Sequence, residues 1–191
     1  RDSWRTSGTD QKAWRDVGVP SLGAMLCGTA TDEPTSFAIL DRYVEAGGTF
    51  IDTANNYAYW FNNTQGGESE ELLGRWRRTR GIGDEVLIAT KVGGRPIAPG
   101  ISFADAARAD RVEGLSAGVI REAAGQSRER LGMARLDLLY AHLADEVVPL
   151  EETVEGFAEL VAEGTVGLLG ASNQWAWRVE RARSLAAAAG L

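Results

Sequence analysis

The stretch of sequence that decides the fold runs Gly47-Gly48-Thr49-Phe50-Ile51-Asp52-Thr53-Ala54-Asn55-Asn56-Tyr57. A short apolar run ends in an acid, and a tyrosine follows five residues later, which is typical of a buried strand that opens into a polar loop. The paired glycines permit a tight turn into the strand, and Phe50 and Ile51 are expected in the core. Asp52 is therefore predicted where the chain leaves the core, and an acid in that position needs a partner.

Four further apolar runs alternate with segments of helical periodicity. They predict strands over residues 22–27, 86–91, 136–141 and 166–171. The predicted helices are one capped by Thr35 or Ser36 and ended by Gly47, one over residues 69–76, one from Ser116 to Gly132, one over residues 150–162, and one from Trp177 towards the terminus. Because several strands are apolar on consecutive residues, both of their faces should be buried, which indicates a parallel α/β sheet.

Polar residues follow the predicted strands at the points where they end. Besides Asp52, these are Lys91, His142 and the pair Ser172-Asn173. In parallel α/β folds the ligand binds beyond the carboxyl ends of the strands. We therefore expect these side chains to meet at one rim of the sheet.

A carboxylate, an ammonium, a phenol and an imidazole at one place form a site that handles protons. A nearby lysine cation favours the phenolate, so Lys91 is expected to lower the pKa of Tyr57 from its ordinary value of about 10. Asp52 would hold Lys91 charged. Tyr57 would protonate a carbonyl oxygen as hydride reaches the carbon, and His142 would orient the same oxygen. No side chain donates hydride, so a nicotinamide would have to supply it.

Each of these residues also has a purely structural interpretation. Asp52 suits a cap or a turn, and Lys91 suits a solvated strand end. Tyr57 lies in an aromatic-rich loop and could simply pack, while the single histidine, His142, could be a satisfied core residue. Their joint placement at strand ends favours the catalytic interpretation.

Several motifs, in this order along the chain, resemble those of the aldo-keto reductases. They are Gly47-Gly48-Thr49-Phe50-Ile51-Asp52-Thr53-Ala54 with Tyr57, Gly67-Glu68-Ser69-Glu70 with Leu73-Gly74, Ala89-Thr90-Lys91, Leu136-Asp137-Leu138-Leu139-Tyr140-Ala141-His142, and Gly170-Ala171-Ser172-Asn173. The resemblance covers about residues 20–185 and implies a parallel (β/α)₈ TIM-type barrel, NADPH as cofactor, and reversible reduction of aldehydes and ketones to alcohols.

The resemblance also implies a role for each matching residue. The catalytic tetrad would be Asp52, Tyr57, Lys91 and His142. The cofactor-binding residues would be Gly23, Ala24, Asp52, Ser172 and Asn173, with the last two holding the nicotinamide carboxamide. The family often has threonine at the position of Ala24, which puts one contact there in question.

The chain departs from the family in length. A full barrel has eight units in about 250 residues, whereas the pattern here predicts five units within 191 residues. We expect a partial barrel over residues 20–191, preceded by an arm or a lid over residues 1–19 with Trp4 and Trp14 as candidate anchors. The family's segments that grip the adenosine phosphates follow later strands, so weak or absent cofactor affinity is expected. A second chain or copy could complete the barrel, or the sequence could be part of a longer protein.

Charge and composition bear on which partners and which cellular location are expected. The net charge is -7 with scattered basic residues, which argues against a nucleic-acid surface. Cys27 is the only cysteine, no apolar run reaches about 20 residues, and the chain does not start like a signal peptide, so a cytoplasmic protein is expected.

The substrate class stays open at this stage. Trp60, Phe61 and the long segment 92–115 could wall an apolar pocket for a small-molecule carbonyl compound. The alternative to an enzyme is a catalytically inactive fragment or regulatory module that uses the same fold for interaction.

Overall fold

The computed structural model describes residues 20–61, 64–98, 101, 111–188 and 190. The predicted arm over residues 1–19, with Trp4 and Trp14, lies outside the described residues. So do residues 99–100 and 102–110 of the long segment.

Within the part of the chain that the structure describes, five parallel strands alternate with five helices. The strands are β1 (Leu22–Gly23), β2 (Phe50–Asp52), β3 (Leu87–Val92), β4 (Leu136–Ala141) and β5 (Val166–Ala171). The helices are α1 (Glu33–Glu45), α2 (Glu68–Arg80), α3 (Ala117–Leu131), α4 (Leu150–Ala162) and α5 (Ala176–Ala188). The strands form one sheet in the order β1-β2-β3-β4-β5. Sheet order equal to chain order is the arrangement of a (β/α)₈ barrel wall, so the predicted truncated barrel type is confirmed.

The register of the sheet places the polar strand ends in two adjacent layers. Asp52 is level with Gly23 on β1 and with Ala89 on β3. Lys91 lies two residues further along β3 and is level with Tyr140 on β4. Two residues of strand span roughly 6–7 Å, a distance that a lysine side chain can bridge. The predicted rim therefore exists, and Lys91 has to reach back along it to meet Asp52.

Two local predictions were wrong. The first strand was predicted over residues 22–27, but β1 stops at Gly23, because the chain turns: Cys27 N donates to Ala24 O at 3.1 Å. Helix α1 starts earlier than predicted, since Asp32 is its N-cap and accepts a hydrogen bond from Thr35 N at 2.9 Å. The predicted caps of α3, Ser116 and Gly132, are confirmed.

The core lies between the sheet and the helices. Its largest fully buried side chains include Leu40, Trp76, Ile88, Leu131 and Leu139. Helices α2 and α3 approach closely at Gly74, where a Cβ would come within 2.1 Å of the Arg130 carbonyl oxygen. Only glycine fits at this helix crossing.

The last unit is much more exposed than the others. Helix α5 buries none of its described side chains, and Leu169 on β5 is 37% exposed. The β5 side of the sheet is therefore open along both its strand and its helix. Among the described residues, no helix is long and apolar enough to cross a membrane.

Candidate active site

Asp52, Tyr57 and Lys91 form a tight cluster at the carboxyl ends of β2 and β3. Lys91 Nζ donates to Asp52 Oδ2 at 2.6 Å and lies 2.6 Å from the Tyr57 hydroxyl oxygen. The Tyr57 hydroxyl donates to Asp52 Oδ2 at 3.1 Å. Each of the three predicted residues therefore contacts the other two directly.

Lys91 is buried, and its ammonium group has a third hydrogen-bond acceptor. The residue is 6% exposed, and its ammonium also donates to the Thr53 carbonyl oxygen at 2.8 Å. Burial lowers the pKa of Lys91, and the hydrogen bond and charge of Asp52 oppose that shift. The carboxylate is thus the group that keeps the buried amine charged.

The pKa of Tyr57 moves in the direction opposite to the sequence-based expectation. Burial raises the pKa of the phenol well above its usual range, and the charge and hydrogen bond of Asp52 raise it further. Lys91 was expected to lower this pKa, but the same carboxylate that pairs with Lys91 also faces the phenol. Tyr57 is therefore fully protonated at neutral pH and holds a proton that it can donate.

His142 lies directly beside Tyr57. The two rings are 5.8 Å apart and cross at 76°, and the backbone of His142 is fixed by donation from its N to Val92 O at 2.9 Å. Burial lowers the pKa of His142 to about 4, and the charge of Lys91 acts in the same direction. The imidazole is therefore neutral near pH 7, so it carries one N–H and can donate a single hydrogen bond.

Ser172 and Asn173 reach the same rim from β5. The Asn173 amide Nδ2 donates to His142 O at 2.9 Å and to Ser172 Oγ at 3.0 Å. Asn173 has a φ of 52°, a left-handed conformation that asparagine tolerates better than most residues. With both amide protons engaged, Asn173 Oδ1 is left as an acceptor. An acceptor beside a serine hydroxyl suits a carboxamide, so this pair fits a nicotinamide amide group.

The two predicted cofactor residues on β1 differ in their surroundings. Gly23 is exposed, and a Cβ built there would meet nothing within 4 Å, so there is open space above the end of β1. Ala24 is fully buried, and its carbonyl oxygen accepts from Ser69 Oγ at 2.7 Å. Gly23 is therefore accessible to a ligand at this rim, whereas the side chain of Ala24 is not.

Several residues that support the cluster were not singled out from the sequence. Glu113 Oε1 accepts from Asn55 Nδ2 at 2.8 Å and from Gly93 N at 2.6 Å, and so ties together the loops that follow β2 and β3. Asn56 Nδ2 donates to Gly94 O at 2.7 Å across the same gap. The sequence carried two signals for these contacts. Asn55 and Asn56 are adjacent amides after a buried strand, and Gly93 and Gly94 are adjacent glycines shortly after Lys91.

A cavity of about 370 Å³ lies apart from this cluster. It is bounded by residues 95–98 and by α3, and its lining includes Arg95, Glu113, Glu122 and Gln126. None of the four predicted catalytic residues lines it. The site is therefore defined by the contacts at the strand ends.

A parallel sheet in barrel order with this cluster at its carboxyl rim defines the class of protein. A sequence model of the Aldo/keto reductase family matches residues 21–189. The chain belongs to the aldo/keto reductase family, as the motifs predicted.

Individual relatives agree with this assignment. The chain is 34% identical over 182 residues to an aryl-alcohol dehydrogenase [NADP(+)] of Phanerodontia chrysosporium, which covers 91% of this chain and 45% of that protein. It is 35% identical over 161 residues to norsolorinic acid reductase A of Aspergillus parasiticus, covering 84% of this chain and 38% of that protein. The chain thus spans less than half the length of these relatives.

A solved structure supports the fold. A thermostable aldo-keto reductase in complex with the inhibitor epalrestat superposes with a TM-score of 0.68 at 24% identity. The match covers 87% of this chain and 54% of that one.

Proposed function

We propose that this chain carries the catalytic half of an NADPH-dependent reductase of aldehydes and ketones. The single observation that carries the proposal is the contact of Lys91 Nζ with both the Tyr57 hydroxyl and Asp52 Oδ2, each at 2.6 Å. A partly buried phenol held by a buried ammonium has few structural reasons to exist, because both groups lose hydration there. The phenol keeps its proton at neutral pH, and the ammonium 2.6 Å from its oxygen is in contact to stabilise the phenolate once that proton is given to a bound carbonyl group.

The chemistry needs a hydride, which a bound nicotinamide supplies. As the carbonyl carbon accepts the hydride, the Tyr57 hydroxyl gives its proton to the carbonyl oxygen, and the product is an alcohol. Lys91 stabilises the phenolate that remains, and Asp52 keeps Lys91 charged. His142, neutral and beside Tyr57, donates a hydrogen bond to the same oxygen and orients it. Ser172 and Asn173 would hold the carboxamide that positions the nicotinamide.

The family assignment supports this proposal, and the names of the relatives suggest which substrates to test first. One relative is named as an NADP(+)-dependent dehydrogenase of aryl alcohols. Aryl aldehydes are therefore the first substrates to try in the direction of reduction. Trp60 follows Tyr57 by three residues, is 37% exposed and packs edge-on against Tyr59 at 5.0 Å, and it is the aromatic residue that we propose contacts such a ring.

The second candidate function is that of a non-catalytic interaction module. The exposed β5 side favours it, since Trp175 and Trp177 are each 63% exposed and α5 buries no described side chain. Such a surface attracts a partner chain or a second copy. In that case the tetrad would be retained without turnover.

The experiment that tests the proposal is a titration of the chain with NADPH, followed by tryptophan fluorescence, with the mass in solution measured alongside. Trp175 and Trp177 follow Asn173 closely, so a nicotinamide at Asn173 should quench them. Saturable quenching together with reduction of a benzaldehyde supports the reductase. A folded chain that binds no NADPH and turns over no carbonyl compound would contradict the proposal for this chain and favour the interaction module.

A further inference from the structure

The imidazole of His142 has an unusual environment on its Nδ1 side. Nδ1 is buried and has no hydrogen-bond partner among the residues that the structure describes. What faces it is the backbone of Gly94, where a Cβ would come within 3.1 Å of Nδ1 and 3.4 Å of the ring carbon Cγ. The hydrogen that takes the place of this Cβ in glycine therefore lies against the Nδ1 edge of the ring.

Asn56 holds Gly94 in this place. Its side-chain nitrogen donates to the Gly94 carbonyl oxygen at 2.7 Å. Because a carbonyl oxygen can only accept, the atom facing it must be Nδ2, which fixes the orientation of the amide. A Cβ on Gly94 would also lie 2.9 Å from this nitrogen, so Gly94 is enclosed between the amide of Asn56 and the ring of His142.

This enclosure affects which of the two ring nitrogens carries the proton of the neutral imidazole. A neutral imidazole carries its proton on one nitrogen and a lone pair on the other. A C–H group packed against Nδ1 is compatible with a lone pair there but would crowd an N–H, and a buried N–H without an acceptor is costly. The ring should therefore carry its proton on Nε2.

We propose that Asn56 and Gly94 are positioning residues that set the tautomer and orientation of His142, so that the imidazole presents Nε2–H as a donor. Asn56 precedes Tyr57 in the chain, and Gly94 follows Lys91 by three residues. The same contact thus links the loop that carries Tyr57 to the loop that follows the strand of Lys91. The use of this donor for a carbonyl oxygen rests on the proposed function, whereas the tautomer itself does not.

The test exploits the fact that His142 is the only histidine in the chain. In the 191-residue chain labelled with ¹⁵N-histidine, a long-range ¹H–¹⁵N spectrum reports which nitrogen is protonated and at what pH the ring titrates. We expect a neutral ring with the proton on Nε2 across neutral pH. A ring protonated on Nδ1 would overturn the proposal, whatever the activity of the chain.

Two variants test the positioning role, one by adding atoms beside the ring and the other by removing a hydrogen-bond donor. Gly94→Ala adds a methyl group against the ring and should displace it, which mixes the tautomers and moves the titration midpoint towards 6.5 by about one pH unit or more. Asn56→Ala removes the donor that holds Gly94 and should change the spectrum in the same direction without adding atoms. Gly118→Ala is the matched control, because a Cβ there meets nothing within 4 Å, and it should leave the spectrum unchanged.

A failure of the positioning role can be distinguished from a failure of the proposed reductase activity. If Gly94→Ala fails to fold by circular dichroism, Asn56→Ala and the wild-type tautomer decide the matter. If both variants fold and leave the histidine spectrum as in the wild type, the positioning role is wrong. If the wild type turns over carbonyl compounds, kcat should fall roughly tenfold or more in both variants, with little change in the affinity for NADPH. The expected tautomer in a chain without activity would support the positioning role and count against the reductase.

Discussion

The ammonium nitrogen of Lys91 lies 2.6 Å from the hydroxyl oxygen of Tyr57, although Lys91 belongs to β3 and Tyr57 to the loop that follows β2. Asp52 faces both of them, with one oxygen, Oδ2, at 2.6 Å from the amine and 3.1 Å from the phenol. The carboxylate therefore has two opposing effects. It keeps the amine charged and it keeps the phenol protonated.

The proposed acid is tested by Tyr57→Phe. This change removes only the hydroxyl group, so the aromatic ring continues to pack beside His142 and the fold should persist. We expect carbonyl reduction to fall by a factor of about 10²–10⁴, the usual contribution of a general acid, while NADPH affinity changes little. Steady-state kinetics and fluorescence titration measure the two effects. Activity retained in Tyr57→Phe would show that another group delivers the proton.

The role of Asp52 is tested by Asp52→Asn, which keeps the size of the side chain and removes its charge. Burial already lowers the pKa of Lys91, and Asp52 opposes that shift, so the pKa of Lys91 should fall further in the variant. The only other lysine is Lys12, and ¹⁵N-lysine spectra of a Lys12→Arg background therefore follow Lys91 alone. A pKa of Lys91 that stays the same or rises in Asp52→Asn would contradict the proposed role.

The neutral state of His142 should make the chain sensitive to acid. Its pKa is about 4 in the folded chain and about 6.5 when unfolded, so the unfolded chain binds more protons between these values. The resulting stability is present above pH 6.5 and is lost as the pH falls towards 4, by on the order of 3 kcal/mol in total.

Urea unfolding at a series of pH values measures this loss. Carboxylates also titrate near the lower end of the range, so the comparison is with His142→Gln, which cannot titrate. The difference between the two curves should appear between pH 6.5 and 4. Parallel curves over that interval would show that the folded histidine titrates normally.

A second buried ion pair should matter for stability alone. Glu70 is fully buried, accepts from Arg130 Nε at 2.7 Å and from Thr90 Oγ1 at 2.5 Å, and so links α2 to α3 and β3. Glu70→Ala leaves Arg130 without its carboxylate and should lower the free energy of unfolding by about 3–5 kcal/mol.

The control for this pair is Glu45→Ala, which breaks the exposed contact with Arg42 at 3.4 Å. It should change the free energy of unfolding by about 0.5 kcal/mol or less. Denaturant curves measure both variants. Equal effects of the two substitutions would mean that the buried pair does not hold the helices together.

The sequence predicted the larger features well because they depend on local patterns. Apolar runs such as residues 136–141 and 166–171 gave the strands at their observed bounds, and the acid, lysine, histidine and asparagine at the strand ends had to meet once the strands were parallel. The first strand was misjudged because the apolar run after Gly23 belongs to a turn, in which residues are buried without being paired in the sheet. The cap of α1 was misjudged because three polar residues lie close together at its start, and only the backbone geometry selects Asp32.

By itself, the sequence determined the alternation of strands and helices through its periodicity, and its motifs indicated the family and the set of residues at the rim. Only the tertiary structure decided the electrostatics of the site. Whether a phenol near a lysine becomes more or less acidic depends on burial and on the distance to every other charge, and Asp52 proved closer to Tyr57 than the spacing of the two residues could reveal. The enclosure of His142 by Asn56 and Gly94 is likewise a contact between three separate loops, which no local pattern in the chain encodes.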